Sequence, residues 1–235
     1  MRFLIVPLAL ILGLNALAND ITITGGQLTG NNGTQVQVQF DVSWQNSWRI
    51  NPDRWDAAWV FLKFRTVAGG WQHALLDGSG HVAPAGTTIT TGLLDPGAAF
   101  NATTNPGIGA FVYRDADGSG AFTASGVQLR WNFAASGVSL ADVEEIGLHA
   151  IEVVHIPQGA YLLGSGGTES GSFTDGAWVS GNTIPFPVTS EAALPMGPSA
   201  GQLWGTSTTG SSTIGDPGTL PADYPKGFRA FYCMK

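Results

Sequence analysis

From Gln35 to Trp44 the chain alternates without a break. Val36, Val38, Phe40, Val42 and Trp44 take one set of positions; Gln35, Gln37, Gln39, Asp41 and Ser43 take the other. Successive side chains of a strand point to opposite faces, so this stretch is a strand with one face in a core and one in water. Antiparallel sheets are the ones that carry such one-sided strands. The neighbouring sequence agrees. Ile21-Thr22-Ile23-Thr24 reads as an earlier strand, joined through Gly30-Asn31-Asn32-Gly33. Trp59 to Arg65 and Trp71 to Leu75 read as a hairpin about Val67-Ala68-Gly69-Gly70, where glycine supplies positive φ. One strand is expected near Thr87 to Thr91, two more at Ile108 to Arg114 and Val127 to Phe133, and a long one from Glu145 to Ile156. Leu140 to Ile146 holds a single turn of helix at most. Short strands with frequent turn signals predict a mainly β chain, an antiparallel β-sandwich (immunoglobulin-like or jelly-roll-like) over residues 19–150. Six of the eight Trp fall in this span, which is bulk enough for its core.

The two ends add different information. Met1-Arg2 is basic, Phe3 to Leu14 is almost wholly apolar, and Ala16-Leu17-Ala18 is a small-x-small cleavage site. These are the three parts of a secretory signal peptide, which makes residues 1–18 a removed leader and the protein secreted or exposed on the cell surface. No later segment is long and apolar enough to span a bilayer, so no membrane span is expected after cleavage. Only 11% of the residues are charged, the formal net charge is −7, and Gly and Pro are plentiful at 33 and 13. Without a basic patch, nucleic acid is excluded as a partner.

After Pro157 the texture changes. Residues 164–220 are dominated by Gly, Ser, Thr and Pro, with scattered Phe173, Trp178, Ile184, Phe186 and Trp204. A structureless loop of that length is unusual in a compact domain, so a second domain is expected over residues 151–235. The chain closes on Phe228-Arg229-Ala230-Phe231-Tyr232-Cys233-Met234-Lys235, which reads as an aromatic strand. Unpaired backbone and exposed aromatics need a partner, either earlier in the chain or beyond Lys235. The single cysteine, Cys233, sits in that strand.

Several motifs carry chemistry and also have plainer readings. Asp115, Asp117 and Ser119 place oxygens at positions 1, 3 and 5 of a calcium loop, but position 12 is Gly126 where the ion wants a bidentate Glu. The plainer reading is a hairpin loop with Asp-Gly turn chemistry. Trp44, Trp59 and Trp71 belong to strand patterns and are assigned to the core. Trp48 and Trp55 fall in an expected loop, Gln45 to Asp56, where exposed indoles would form a platform for a glycan or a surface protein. His149 and His155 could share a strand face but lie about 20 Å apart at strand rise, too far to hold one metal. Glu144-Glu145 and the pair Asp53 and Asp56 read as solvated acids.

Two segments resemble a known family. Val153-Val154-His155-Ile156-Pro157-Gln158-Gly159-Ala160-Tyr161-Leu162-Leu163-Gly164 resembles the opening of the formylglycine-generating enzyme (sulfatase-modifying factor) domain, an apolar strand followed by Ile-Pro-x-Gly, an aromatic and a closing Gly. Phe228 to Lys235 resembles the family's next strand, which leads into a Lys-Tyr-Glu-hydroxyl motif and the first helix. The resemblance implies an α+β, C-type-lectin-like domain of which residues 151–235 are an incomplete start. The rest of that domain would be the missing partner of the final strand. It implies copper only for an active full-length parent, bound by a late cysteine pair that this chain lacks. Cys233 matches neither position, so no catalytic residue and no cofactor are assigned to this chain. Its expected role is the non-catalytic N-terminal part of such an exported protein; the alternatives are a glycan- or protein-binding β-sandwich module or a structural surface subunit.

Overall fold

The computed structural model describes residues 19–67, 69–167, 169, 171–176, 184–205 and 217–235. The leader assigned to residues 1–18, Ala68 and Trp178 lie outside the described residues. The protein is mainly β, with antiparallel sheets. Among the described residues there is no α-helix, and the one 3₁₀ turn, Leu140–Asp142, is capped by Ser139, whose side chain accepts from the Ala141 N–H. No helix among them is long and apolar enough to cross a membrane. The chain divides into two compact units: residues up to Arg49 with Ala57–Glu152, and Ile50–Asp56 with Val153–Lys235.

The first unit is built on β1 (Thr22–Thr29), β2 (Val36–Ile50), β3 (Arg54–Thr66), β4 (Trp71–His73), β5 (Thr87–Leu93), β6 (Gly107–Arg114), β7 (Gly118–Trp131) and β8 (Val143–Ile156). Strand order is β1-β2-β3-β6-β5, with β7 on β2 and β4 and β8 on β3. β2 pairs antiparallel with β1 and with β7, Val38 standing opposite both Leu28 and Leu129. The alternation read from the sequence sets the buried face: Val36, Val38, Phe40, Val42 and Trp44 are each at most 2% exposed. Val60, Leu62 and Phe64 of β3, Val112 of β6, and Val127, Leu129 and Trp131 of β7 complete one continuous core. Within it the Trp44 and Phe122 rings meet edge to face at 4.9 Å. The Trp131 indole N–H donates to Ser136 Oγ at 3.0 Å, so a fully buried indole keeps its hydrogen bond.

Four sequence expectations need revision. The expected loop Gln45 to Asp56 is instead a close hairpin, with β2 running to Ile50 and β3 starting at Arg54. The alternation after Trp44 is lost because the β2–β7 register shifts between Trp44 and Ser47, where Asn46 has φ 55°. A bulge adds one residue and turns the following side chains over, so Ser47 now faces inward and is fully buried. β7 likewise starts at Gly118 rather than near Val127, which shortens the connection around Asp115 and Asp117. Trp71, assigned to the core, is 46% exposed, because β4 is only three residues long and its side chain turns outward. Trp59, also assigned to the core, is instead half-buried on the outer face of β3, where a Cβ at Gly92 or Gly109 would lie 2.3 or 2.4 Å from its ring. Glycine at those two positions is what makes room for the indole.

The second unit holds short strands: β9 (Tyr161–Leu163), β10 (Phe173–Asp175), β11 (Phe186–Val188), β12 (Leu194–Met196), β13 (Leu203–Gly205), β14 (Gly218–Leu220) and β15 (Phe231–Met234). β10-β13-β12-β14 form one small sheet and β11-β9 another. Phe186, Val188 and Leu203 form a core with Leu163, Leu194, Met196 and Phe228 around them. The described part of residues 164–220 is therefore not a bare loop, since Phe186, Val188 and Leu203 close on one another, while Phe173 and Ile184 stay exposed. The final aromatic strand finds its partner within the chain. β15 pairs antiparallel with the end of β8, Phe231 opposite Ile156 and Met234 opposite Val153.

Candidate functional site

Among the described residues of the second unit, one side-chain constellation gathers around Trp55. Trp55 lies just after the β2–β3 turn, His155 near the end of β8, and Tyr232 opposite His155 on β15. The Trp55 and His155 rings stack at 4.1 Å with planes 5° apart. Tyr232 leans on the same imidazole at 5.1 Å, and its hydroxyl accepts the Trp55 indole N–H at 3.3 Å. His155 Nδ1 lies 2.7 Å from the Asp53 carbonyl oxygen. A carbonyl can only accept, so Nδ1 carries a proton. Close by in sequence, the fully buried Asp56 carboxylate meets Lys235 Nζ at 3.5 Å. Stacking plus hydrogen bonding fixes Trp55 in place and clamps β15 against β8.

A second built feature is the Glu191 carboxylate. One oxygen accepts the Phe228 and Arg229 N–H groups at 2.9 and 3.0 Å, and the other accepts Lys226 N–H at 2.8 Å. Hydrogen bonds to the charged form favour it, so the Lys226 N–H first, then those of Arg229 and Phe228, hold the Glu191 carboxyl below the usual carboxylate range. Lys226 is itself buried, with Nζ donating to the Glu191 and Pro221 carbonyls. Tyr161 donates its hydroxyl to the Lys226 carbonyl. The carboxylate thus orders the turn that leads into β15.

The sequence-derived candidates are dispersed. Trp48 is half-buried in β2 opposite Ser119 of β7, while Trp55 belongs to the second unit. Asp115 and Asp117 are exposed in the β6–β7 turn, and Ser119 is exposed in β7. Among the described residues no three His, Cys, Asp or Glu side chains are grouped to hold a metal ion. Glu144 and Glu145 both pair with Arg65, at 3.1 and 3.0 Å. His73 and His149 each stack on Phe61, at 6.0 and 5.0 Å between ring centres. Cys233 is exposed with a free thiol.

Sequence reasoning named Trp55 but did not bring His155 and Tyr232 to it, and it passed over Glu191. His155 and Tyr232 meet only through a strand pairing between distant segments, for which local periodicity carries no signal. No protein-family model, no curated protein and no solved structure matches the chain.

Proposed function

We propose that this chain is the non-catalytic N-terminal part of a secreted or cell-surface protein, in which an antiparallel β-sandwich precedes a formylglycine-generating-enzyme-like domain of C-type-lectin-like fold. The observation that carries the reading is the β8–β15 pairing. The two segments with the family resemblance lie far apart in sequence, yet Val153 to Ile156 pairs antiparallel with Phe231 to Met234. Two strands that open one domain are expected to be neighbours, and chance resemblances would have no reason to meet. Export rests on the leader-like residues 1–18. The alternative, glycan or protein recognition by Trp48 and Trp55, draws less support. One face of Trp55 is covered by His155 and its N–H is bonded to Tyr232.

The coding sequence downstream of the Lys235 codon tests the proposal. The expected continuation is Tyr-Glu-hydroxyl after Lys235, followed by an amphipathic helix. A continuation without that motif and helix overturns the reading.

A further inference from the structure

The first unit carries a groove that none of the sequence motifs pointed to. It is an open depression of about 490 Å³ between β5, the Gly78–His81 segment and Phe100. That volume is in the range of small-molecule sites. The lining mixes the apolar Ile89, Leu93 and Phe100 with the hydroxyl residues Ser79, Thr90 and Thr91.

No formal charge is available in this lining. His81 is its only titratable side chain, and both imidazole nitrogens are committed inside the protein. Nδ1 accepts the Arg130 N–H at 2.9 Å, which places the proton on Nε2, where the Asp77 carbonyl and Thr91 Oγ1 accept it at 3.0 and 2.9 Å. Burial holds its pKa below the usual histidine value, which keeps the ring neutral. No charged side chain lines the groove itself, and the nearest guanidinium, that of Arg130, stands behind the lining against Gly80, where a Cβ would lie 2.0 Å from its Cζ.

Phe100 is 40% exposed, yet it is rigidly presented. It sits on the β5–β6 connection, whose ends are joined by the Leu94 N–H to Pro106 carbonyl bond at 3.0 Å. The buried Asn105 amide staples that loop from inside. Its NH₂ donates to the Asp95, Ala98 and Ala99 carbonyls, and its oxygen accepts the Asp95 N–H at 2.6 Å. The Phe100 ring rests on Gly78, where a Cβ would lie 2.5 Å from its Cγ. A half-exposed aromatic held by a closed loop and a glycine seat is a pre-organised contact surface.

From these features we infer that the groove binds a neutral sugar. A pyranose ring is uncharged and has one face of C–H groups with hydroxyls around its rim. The electron-rich face of an aromatic ring attracts the slightly positive C–H face, the Ser79 hydroxyl can donate and accept toward the rim, and the Thr90 and Thr91 oxygens, already bonded within the protein, keep a lone pair that can accept. The site lies wholly within the first unit and does not rest on the reading of residues 151–235.

The test titrates residues 19–235 by calorimetry with cellohexaose, maltohexaose, xylohexaose and mannohexaose, with hexagalacturonate as the charged comparison. Saturable binding of at least one neutral sugar is expected, with hexagalacturonate weaker. Phe100→Ala and Phe100→Leu should each weaken it at least tenfold, the Leu variant keeping apolar bulk without the aromatic face. Gly78→Ala, which displaces the ring without removing it, should weaken binding in the same direction. Circular dichroism and the melting temperature report that each variant is folded. Absence of binding to all four neutral sugars, tighter binding of the charged one, or unchanged affinity in folded Phe100→Leu overturns the inference.

Discussion

Phe40→Ala probes the assignment of the inward face of β2. Phe40 is 1% exposed, stands opposite Val127 of β7, and belongs to the same core as Trp44 and Trp131. Its neighbours are held by backbone ladders on both sides, since β2 pairs with β1 and with β7. Such a site cannot collapse around a lost ring, so the substitution leaves a cavity on top of the lost transfer energy. The expected loss is about 3–5 kcal/mol. Set against a typical total of about 5–15 kcal/mol, that is a large share of what holds the unit folded. With a urea dependence of about 2 kcal/mol per molar, the midpoint should fall by about 1.5–2.5 M at unchanged slope. Tryptophan emission is the natural readout, because Trp44 and Trp131 are both buried in that core. The control is Gln39→Ala on the opposite face, where a surface change should stay within about 0.5 kcal/mol. A Phe40→Ala loss under about 1 kcal/mol, or equal losses for the two variants, would refute the assigned face.

Gly109→Ala puts a methyl group against Trp59 and should cost about 1–3 kcal/mol by overpacking; urea unfolding of the double variant with Trp59→Phe should recover part of that loss. His81 should make the first unit pH-sensitive. Its folded pKa lies below the ordinary 6.5 because of burial, so its contribution is complete above 6.5 and declines as pH falls toward the folded value. Melting temperature from pH 7 to 5 should therefore drop less steeply in His81→Gln than in the parent. Glu191 works at lower pH, since its folded pKa is depressed from 4.5 by the three backbone N–H groups. Its contribution is complete above 4.5 and is lost as pH falls through the folded value, so amide-exchange protection at Lys226, Phe228 and Arg229 should fade in acid. In Glu191→Gln that protection should be weaker at neutral pH and nearly independent of acid. Trp55→Ala should speed amide exchange across Tyr232 to Met234, measured by mass spectrometry, while leaving β9 and β11 unchanged.

How far the sequence could be read depended on whether the controlling interaction was local. The Val36 to Trp44 face was legible because alternation is itself the physical cause of the buried stripe. The turn at Leu140 to Asp142 was legible for a similar reason, as Ser139 caps it from two residues away. Trp48 and Trp55 were placed on a loop because the β2 bulge at Asn46 breaks the period, and a break in period looks the same whether the strand ends or only shifts face. Trp71 misled because a three-residue strand offers no second repeat to say which way its side chains point. The groove at Phe100 left no motif at all. Its parts come from three stretches, and the decisive residue, Asn105, looks like any loop asparagine until its amide is seen bonded to three carbonyls. Glu191 was invisible for the same reason, because its partners are backbone N–H groups that every residue type except proline carries.

The second unit is not a contiguous stretch of chain, because Ile50–Asp56 belongs to it as well as Val153–Lys235. A fragment beginning at Val153 would leave behind Trp55, the Asp53 carbonyl that holds His155, and the Asp56 carboxylate that meets Lys235. Such a unit cannot be moved between proteins as a single cassette by recombination at one junction. Changes to the β2–β3 turn are therefore constrained by residues encoded a hundred codons later, and that seven-residue stretch should tolerate insertion less well than its surface position suggests.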